Sequence, residues 1–180
     1  MTIRERADDL LAQTGLMKTL LNHGDAHIVG SYITDLMVYN DLDVYTDSAF
    51  LTADTYHALF CDLIQVLRPI RCDGFLDIEK STAFIGMETA LTGERWNLDL
   101  WWKPADAIRA AETQARQMLS LMDAQPKLKT AALTIKRELC DRKLYGLDKG
   151  KKHYHSQMIY DAIFLEGIRS AEELLHKHPL

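Results

Sequence analysis

Three aspartates lie at positions from which the side chains of two strands can meet. Asp41 and Asp43 are two residues apart in the strictly alternating segment 41–46, and Asp99 lies in the alternating segment 96–102. In a strand, residues two apart project from one face. Carboxylates that converge repel one another unless a cation lies between them. The pattern therefore predicts an Mg²⁺ or Mn²⁺ site of the kind that supports two-metal phosphoryl transfer.

A glycine and a serine precede this acidic segment. Gly30 and Ser31 end the short apolar stretch 26–31, where a predicted strand gives way to a predicted helix. Glycine allows the backbone to approach a ligand closely, and the N–H groups at a helix start attract phosphate. The pair is thus a candidate phosphate-binding turn. A simpler role for Ser31 as a helix cap remains an alternative.

The surrounding patterns predict an α+β fold: a small mixed β-sheet with flanking helices, followed by a helical segment. We expect a catalytic core over 1–103 and a helical tail over 104–180, packed on or beside the core. Thr52 is expected to cap one helix, and Thr92 to Arg95 to form a hairpin turn between antiparallel strands. The predicted helices cover 1–23, 32–39, 52–68, 105–124, 126–145 and 155–176, and the predicted strands cover 26–31, 41–46 and two or three segments within 70–100.

Composition narrows the class of protein. The chain has 180 residues, 47% hydrophobic and 26% charged, with few Pro or Gly, which excludes general disorder. No apolar run reaches the roughly 18 residues of a membrane span, and residues 1–9 lack the apolar core of a signal peptide, so we expect a cytoplasmic protein with no membrane partner. The net charge of −5 argues against a duplex-coating protein. Three cysteines without CxxC spacing predict reduced, mostly packed thiols.

Other residues compete for roles in the site. Asp77 is an alternative third acid, although it lies near a predicted strand end. Trp101 shares the Asp99 face and Tyr45 the Asp43 face, so each is a candidate to stack on a base or acceptor, or else to pack under a neighbouring helix.

His153 and His155 form an H-x-H pair with no third metal ligand suggested nearby. The candidates for neutralising phosphate are Lys136, Arg137, Lys149, Lys151 and Lys152, and the three lysines of the 148–152 loop are equally consistent with a solvated loop.

The sequence resembles the motif of the nucleotidyltransferase superfamily, which includes DNA polymerase β and the antibiotic nucleotidyltransferases. The residues that carry the resemblance are, in chain order, Gly30, Ser31, Asp41, Asp43 and Asp99. The family pattern is an apolar residue, Gly, then Gly or Ser, a short spacer, Asp-x-Asp or Asp-x-Glu, and a third acid on a later strand. The resemblance covers about residues 26–102. The small size of the chain resembles that of minimal members of this superfamily, which are related to the antibiotic-modifying or toxin-type enzymes.

The resemblance implies a role for each residue of the motif. Asp41 and Asp43 would hold the metal bound to a nucleoside triphosphate, and Asp99 would help to hold a second metal and accept the acceptor's proton. Gly30 and Ser31 would bind the β- and γ-phosphates. The implied activity is transfer of NMP from an NTP to a hydroxyl of a small molecule or protein. Nucleic acid is retained as an acceptor but is not favoured.

A catalytically inactive module of the same fold, which binds nucleotide or a partner, is the alternative. Such a relative is expected to have lost at least one of the three acids. All three are present in this sequence, which favours the enzyme.

Overall fold

A computed structural model of the chain describes residues 1–91, 93–146 and 153–180. The chain divides into two compact units, Met1–Arg116 and Gln117–Leu180. The division falls inside the helix Ala105–Ala124. The predicted division at residues 103 and 104 stays a prediction.

The described residues of the first unit form five strands, four complete α-helices and the start of a fifth. Those of the second unit form the rest of that helix and three more. In chain order the elements are α1 (Ile3–Thr14), α2 (Leu16–Leu21), β1 (Ala26–Val29), α3 (Gly30–Ile33), β2 (Asp41–Asp47), a 3-10 turn (Ser48–Phe50), α4 (Ala53–Leu67), β3 (Arg71–Asp77), β4 (Thr82–Thr89), β5 (Trp96–Lys103), α5 (Ala105–Ala124), α6 (Pro126–Asp141), α7 (Ser156–Phe164) and α8 (Ala171–Lys177).

The five strands form one mixed sheet in the order β1-β2-β5-β4-β3. The central strands β2 and β5 run parallel, whereas β1 with β2, β5 with β4, and β4 with β3 run antiparallel. The predicted α+β class with a small mixed sheet is confirmed. The turn between β4 and β5 was predicted at Thr92 to Arg95, of which Thr92 lies outside the described residues.

The alternation seen in the sequence sorts the two faces of the sheet. In β5, the alternation of segment 96–102 places Trp96, Leu98, Leu100 and Trp102 on one face. All four are buried and join the main hydrophobic core of the first unit. In β2, Leu42 and Val44 enter the same core. Burial of such side chains contributes about 1.5–3 kcal/mol each, so the apolar face fixes which residues of β2 and β5 point the other way.

Glycines shorten two of the predicted helices. The helix predicted over 1–23 is divided into α1 and α2 by Gly15, whose φ is +68°. The helix predicted over 155–176 is divided into α7 and α8, and Gly167 between them has φ +75°. Positive φ ends a right-handed helix. Thr52 caps α4 as predicted, since its hydroxyl accepts from the Thr55 N–H at 3.1 Å.

The predicted helix over 32–39 is also wrong in extent. The structure has the four-residue α3, Gly30–Ile33, and then turns up to Asn40. So short a helix has a weak dipole, because the dipole sums over aligned peptide units. The predicted packing of the thiols is wrong for Cys61 and Cys72, both of which are exposed. In the described part of the chain, no helix is both long and apolar enough to cross a membrane.

Candidate functional site

Asp43 and Asp99 are register partners on the parallel strands β2 and β5. Partnered residues of neighbouring strands project from the same face, so both carboxylates lie on the face opposite the core. Asp41 is two residues from Asp43 on the same strand and is the register partner of Asn97. The expectation that the three acids share one sheet face is therefore confirmed. Their grouping into a metal site stays a prediction, because no three His, Cys, Asp or Glu side chains of the described residues lie close enough to hold a metal ion.

The packed side of the sheet holds this arrangement in place. Leu42 and Val44 flank Asp43 in β2, and Leu98 and Leu100 flank Asp99 in β5; all four are at most 3% exposed. A slip by one residue would move these side chains out of the core and carry the aspartates into it. The cost of that exchange fixes the register, and with it the side-by-side placement of the two acids.

Gly30 lies directly beside the Asp43 carboxylate. Its φ is +68°, and a Cβ built on it would lie 2.5 Å from Asp43 Oδ2. Both the backbone conformation and the lack of space therefore require glycine here. Val29, the residue before it, is the register partner of Asp43. The turn that was predicted to bind phosphate thus adjoins the acidic pair.

Ser31 lies inside α3 and does not cap it. The cap position belongs to Val29, and no side chain caps the helix. The Ser31 hydroxyl makes no hydrogen bond to a described residue, whereas its carbonyl accepts from the Leu36 N–H at 2.9 Å. The alternative that Ser31 is a simple helix cap is therefore wrong.

Contacts from α1 hold the next residue, Tyr32. Its hydroxyl donates to Asp8 Oδ1 at 2.7 Å, the guanidinium of Arg4 lies 3.8 Å from its ring centre, and Arg4 also donates to its carbonyl. Three contacts on one residue fix the short helix against α1. They thereby position the Gly30–Ser31 turn at the end of β1.

Asp73 is a fourth acid at this face, which the sequence pattern did not predict. Its register partner is Gly86, which in turn partners Asp99. A Cβ on Gly86 would lie 2.5 Å from Asp73 Oδ1, so the glycine leaves room for this carboxylate. Burial, and then the negative charge of Asp73, raise the pKa of Asp99 above its ordinary value.

Asp73 escaped notice because β3 is the exposed edge of the sheet and lacks alternation. Its first five residues are all exposed. The signal that could have found it is Gly86, since a glycine inside a strand indicates a close approach by another group. Asp73 and Asp99 line a shallow cleft of about 100 Å³, together with Arg71, Gly86, Met87, Glu88 and Asn97.

Asp77, the alternative third acid, lies elsewhere. It is four residues along β3 from Asp73, which corresponds to about 13 Å. Its carboxylate accepts from the Lys80 backbone N–H at 3.1 Å and from the Lys80 ammonium at 2.9 Å. Asp77 therefore stabilises the turn between β3 and β4, and Asp99 is the better candidate for the site.

Trp101 and Tyr45 are register partners, two residues beyond Asp99 and Asp43 on the same face. The Trp101 ring contacts Phe84, with ring centres 4.5 Å apart, and Lys103, whose ammonium lies 4.6 Å from the ring centre. Burial first, and the charge of Asp43 second, raise the pKa of Tyr45. Both aromatics thus have neighbours on the strands themselves.

The basic candidates fall into three groups. Lys149, Lys151 and Lys152 lie outside the described residues. Arg137 is exposed on α6, whereas Lys136 is buried in the second unit and donates to the Tyr160 hydroxyl at 3.1 Å. His155 is exposed at the start of α7, and His153 is half-buried. Neither histidine belongs to a group of three potential ligands among the residues that the structure describes.

Comparisons with known proteins support the fold. No protein-family model matches the sequence, and no curated protein matches it. The chain is similar to the polymerase core of TRAMP, an RNA surveillance complex, with a TM-score of 0.63 at 20% identity over 97% of this chain and 50% of that chain.

Two further structures are similar to a comparable extent. One is the Cid1 poly(U) polymerase bound to MgATP, with a TM-score of 0.65 at 14% identity over 90% of this chain and 49% of that one. The other is the non-canonical poly(A) polymerase complex GLD-2–GLD-3, with a TM-score of 0.65 at 12% identity over 98% of this chain and 58% of that one. The fold is therefore that of polymerase-like nucleotidyltransferases. The chain spans about half the length of the solved chains that it matches.

Proposed function

We propose that this chain transfers a nucleoside monophosphate from an NTP to a hydroxyl acceptor with the help of Mg²⁺ or Mn²⁺. The observation that carries the proposal is the pairing of Asp43 with Asp99 directly beside the Gly30–Ser31 turn. The turn would receive the triphosphate, and the acids beside it would hold the cation that neutralises the triphosphate charge.

The donor set fits a hard divalent cation. Carboxylate oxygens are what Mg²⁺ prefers, and it commonly takes one or two protein carboxylates with substrate phosphates as further ligands. Among the described residues, no three His, Cys, Asp or Glu side chains are grouped closely enough to hold a metal ion by themselves. The site therefore suits a metal that arrives with its nucleotide rather than one held permanently.

Each residue of the site has a distinct part in this proposal. Asp41 and Asp43 bind the cation that accompanies the NTP, and Gly30 and Ser31 bind the β- and γ-phosphates through backbone N–H groups and the hydroxyl. When bound, the cation neutralises phosphate charge and polarises the α-phosphoryl group.

Asp99 has a part on the acceptor side. The acceptor oxygen attacks the α-phosphorus, pyrophosphate leaves, and Asp99 accepts the proton of the hydroxyl. Burial and the charge of Asp73 raise the pKa of Asp99 in the metal-free chain, but a bound cation would act in the opposite direction. The assignment of Asp99 therefore rests on its place beside Asp43 in the sheet.

Two acceptor classes compete. The sequence favoured a small-molecule or protein hydroxyl, as in the antibiotic or toxin-type enzymes. The similar structures are described as polymerases of poly(U), of poly(A) and of an RNA surveillance complex. On that ground we place the 3′ hydroxyl of RNA first. An NTP labelled at the α-phosphate, offered with RNA and with RNA lacking the 3′ hydroxyl, separates the classes: label should enter only the first RNA.

A thermal shift titration tests the proposed function. Each NTP, with Mg²⁺ or Mn²⁺, should raise the melting temperature of the chain, because a ligand that binds only the native state stabilises it. The shift should disappear with a chelator and be reduced in Asp43→Asn. It should persist in Asp77→Asn, which removes the same charge from the turn between β3 and β4, away from the site. A chain that shows no shift with any metal–NTP pair would contradict the proposal.

Activity then separates the enzyme from the inactive module. A shift without release of pyrophosphate in the presence of RNA, small-molecule or protein acceptors would favour the binding module of the same fold.

A further inference from the structure

Four aromatic side chains form a continuous row across the sheet face that carries the acids. Tyr45 partners Trp101, Trp101 partners Phe84, and Phe84 partners Phe75, so β2, β5, β4 and β3 contribute one residue each. The Phe84 and Phe75 ring centres are 6.3 Å apart. We call these four residues the aromatic row. Spanning three strand intervals, it is about 14 Å long.

The aromatic row runs parallel to the acids. On β2 and β5, Tyr45 and Trp101 are two residues from Asp43 and Asp99, and on β3, Phe75 is two residues from Asp73. Two residues of a strand span about 7 Å. A group held against the row therefore lies about one nucleotide's length from the acids.

The row is partly accessible to solvent and has a cation at its side. Phe75 is 45% exposed, and Tyr45, Phe84 and Trp101 are half-buried. Lys103 lies 4.6 Å from the Trp101 ring centre and 5.8 Å from that of Tyr45. It forms no salt bridge with a described carboxylate. Aromatic faces beside a positive charge are how proteins hold single-stranded nucleic acid, since every base has a face to stack and the cation meets the backbone.

The direction of the row separates it from the NTP side of the site. The Gly30–Ser31 turn follows β1, at one edge of the sheet, whereas the row extends from β2 to β3, the opposite edge. Its half-buried centre, Trp101, shares a strand with Asp99, the residue assigned to the acceptor hydroxyl. The occupant of the row therefore belongs to the acceptor.

We propose that the aromatic row stacks the unpaired bases at the 3′ end of a single-stranded RNA acceptor, while Lys103 meets its phosphate backbone. The inference rests on the proposed function and adds to it the surface that binds the acceptor. If the row binds RNA by stacking, it should bind RNAs of different base sequence with similar affinity. It should also prefer single-stranded RNA to duplex, because a paired base offers no free face.

Binding of a short fluorescent oligoadenylate, in the presence of a chelator and without NTP, tests the row alone. Phe75→Ala and Trp101→Leu should each weaken binding by about five- to a hundred-fold, the usual effect of losing one stacking partner. Trp101→Phe, which retains a ring, should restore most of the affinity. The matched control is Phe50→Ala, which removes a 59% exposed ring outside the sheet and should leave binding unchanged.

Tryptophan fluorescence provides a second readout. Trp96 and Trp102 are 1% and 3% exposed, so quenching by the oligoadenylate should come from Trp101 and disappear in Trp101→Phe. An oligomer of abasic sugar-phosphate should bind weakly and cause no quenching.

Two results would overturn the inference. One is equal affinity for the abasic and the normal oligomer, which would leave only electrostatic attraction. The other is unchanged binding in both Phe75→Ala and Trp101→Leu when their melting temperatures match the wild type. Failure of the proposed function has a different signature, because the NTP-dependent thermal shift needs neither the row nor RNA.

Discussion

The carboxylate of Asp43 occupies the space into which a side chain at residue 30 would extend: a Cβ on Gly30 would lie 2.5 Å from Asp43 Oδ2. The phosphate-binding turn and the metal-binding strand of the proposed site are thus in direct steric contact. A change in either should therefore affect the other.

Gly30→Val should abolish NTP binding, and it should do so more completely than any change at Ser31. The branched side chain meets Asp43, and it must also adopt a positive φ that costs roughly 1–2 kcal/mol. Isothermal titration with Mg²⁺ and NTP measures the effect.

Gly15→Val is the matched control for that experiment. Gly15 also has φ +68°, but nothing lies within 4 Å of a Cβ built there. It should lose similar stability from backbone strain while retaining NTP affinity. Equal loss of affinity in the two variants would assign the effect of Gly30→Val to strain alone.

Ser31→Ala should lower kcat/KM for NTP consumption by an amount equivalent to about 1.5–3 kcal/mol, the range for hydrogen bonds to charged groups. Ser31→Gly should lose the same hydroxyl, and the backbone donors survive in both. Since Ser31 caps nothing, the melting temperature of Ser31→Ala should match the wild type. Unchanged kinetics would show that the turn binds phosphate through its backbone or not at all.

Asp43→Asn should weaken binding of the metal–NTP pair without destabilising the metal-free fold. The substitution removes a negative charge next to Asp99 and near Tyr45, so it relieves repulsion. Urea denaturation with a chelator should show a free energy of unfolding equal to or above that of the wild type. A clear loss of stability in the metal-free protein would instead assign Asp43 a structural role.

Asp99→Asn should stabilise the metal-free protein at neutral pH, with a gain that shrinks in acid. An aspartate of the unfolded chain titrates near pH 3.8, whereas burial and Asp73 raise the pKa of Asp99 in the folded state. Between these two pKa values the folded state retains a proton that the unfolded chain has released. Wild-type stability therefore falls as the pH rises through that window and stays lower above it.

An asparagine side chain does not titrate in this pH range, so the stability of Asp99→Asn lacks this dependence on pH. Urea denaturation of both proteins across the acid and neutral range measures the difference. Asp73→Asn should lower the pKa of Asp99 and reduce the slope in the otherwise wild-type chain. A stability difference between wild type and Asp99→Asn that does not change with pH would contradict the assigned cause.

Periodicity predicted the parts of the fold that depend on burial. The alternation around Asp43 and Asp99 correctly predicted both strands and the faces of their residues, because each apolar side chain has to reach the core. The bounds of α5 were also predicted correctly, since Pro104 and Pro126 mark its limits.

The features that escaped prediction depend on partners distant in sequence. The parallel pairing of β2 with β5, and the place of Asp73 across Gly86 from Asp99, follow from strand order, which local patterns do not encode. Two local boundaries also differ from the prediction. Gly15 divides the helix predicted over 1–23, because a glycine within an apolar periodicity can continue a helix or end it. The helix predicted to begin at Tyr32 begins at Gly30 instead, so Ser31 lies inside it.

The parallel pairing of β2 with β5 has a consequence for folding kinetics. The strands β3, β4 and β5 follow one another and can assemble as a local meander, but β2 must be joined to β5 across all of α4, β3 and β4. Closing that long loop costs chain entropy, so we expect it to be a slow, late step. Asp43 and Asp99 become neighbours only when it closes, so a metal–NTP pair bound at the proposed site should slow unfolding while leaving the rate of folding nearly unchanged.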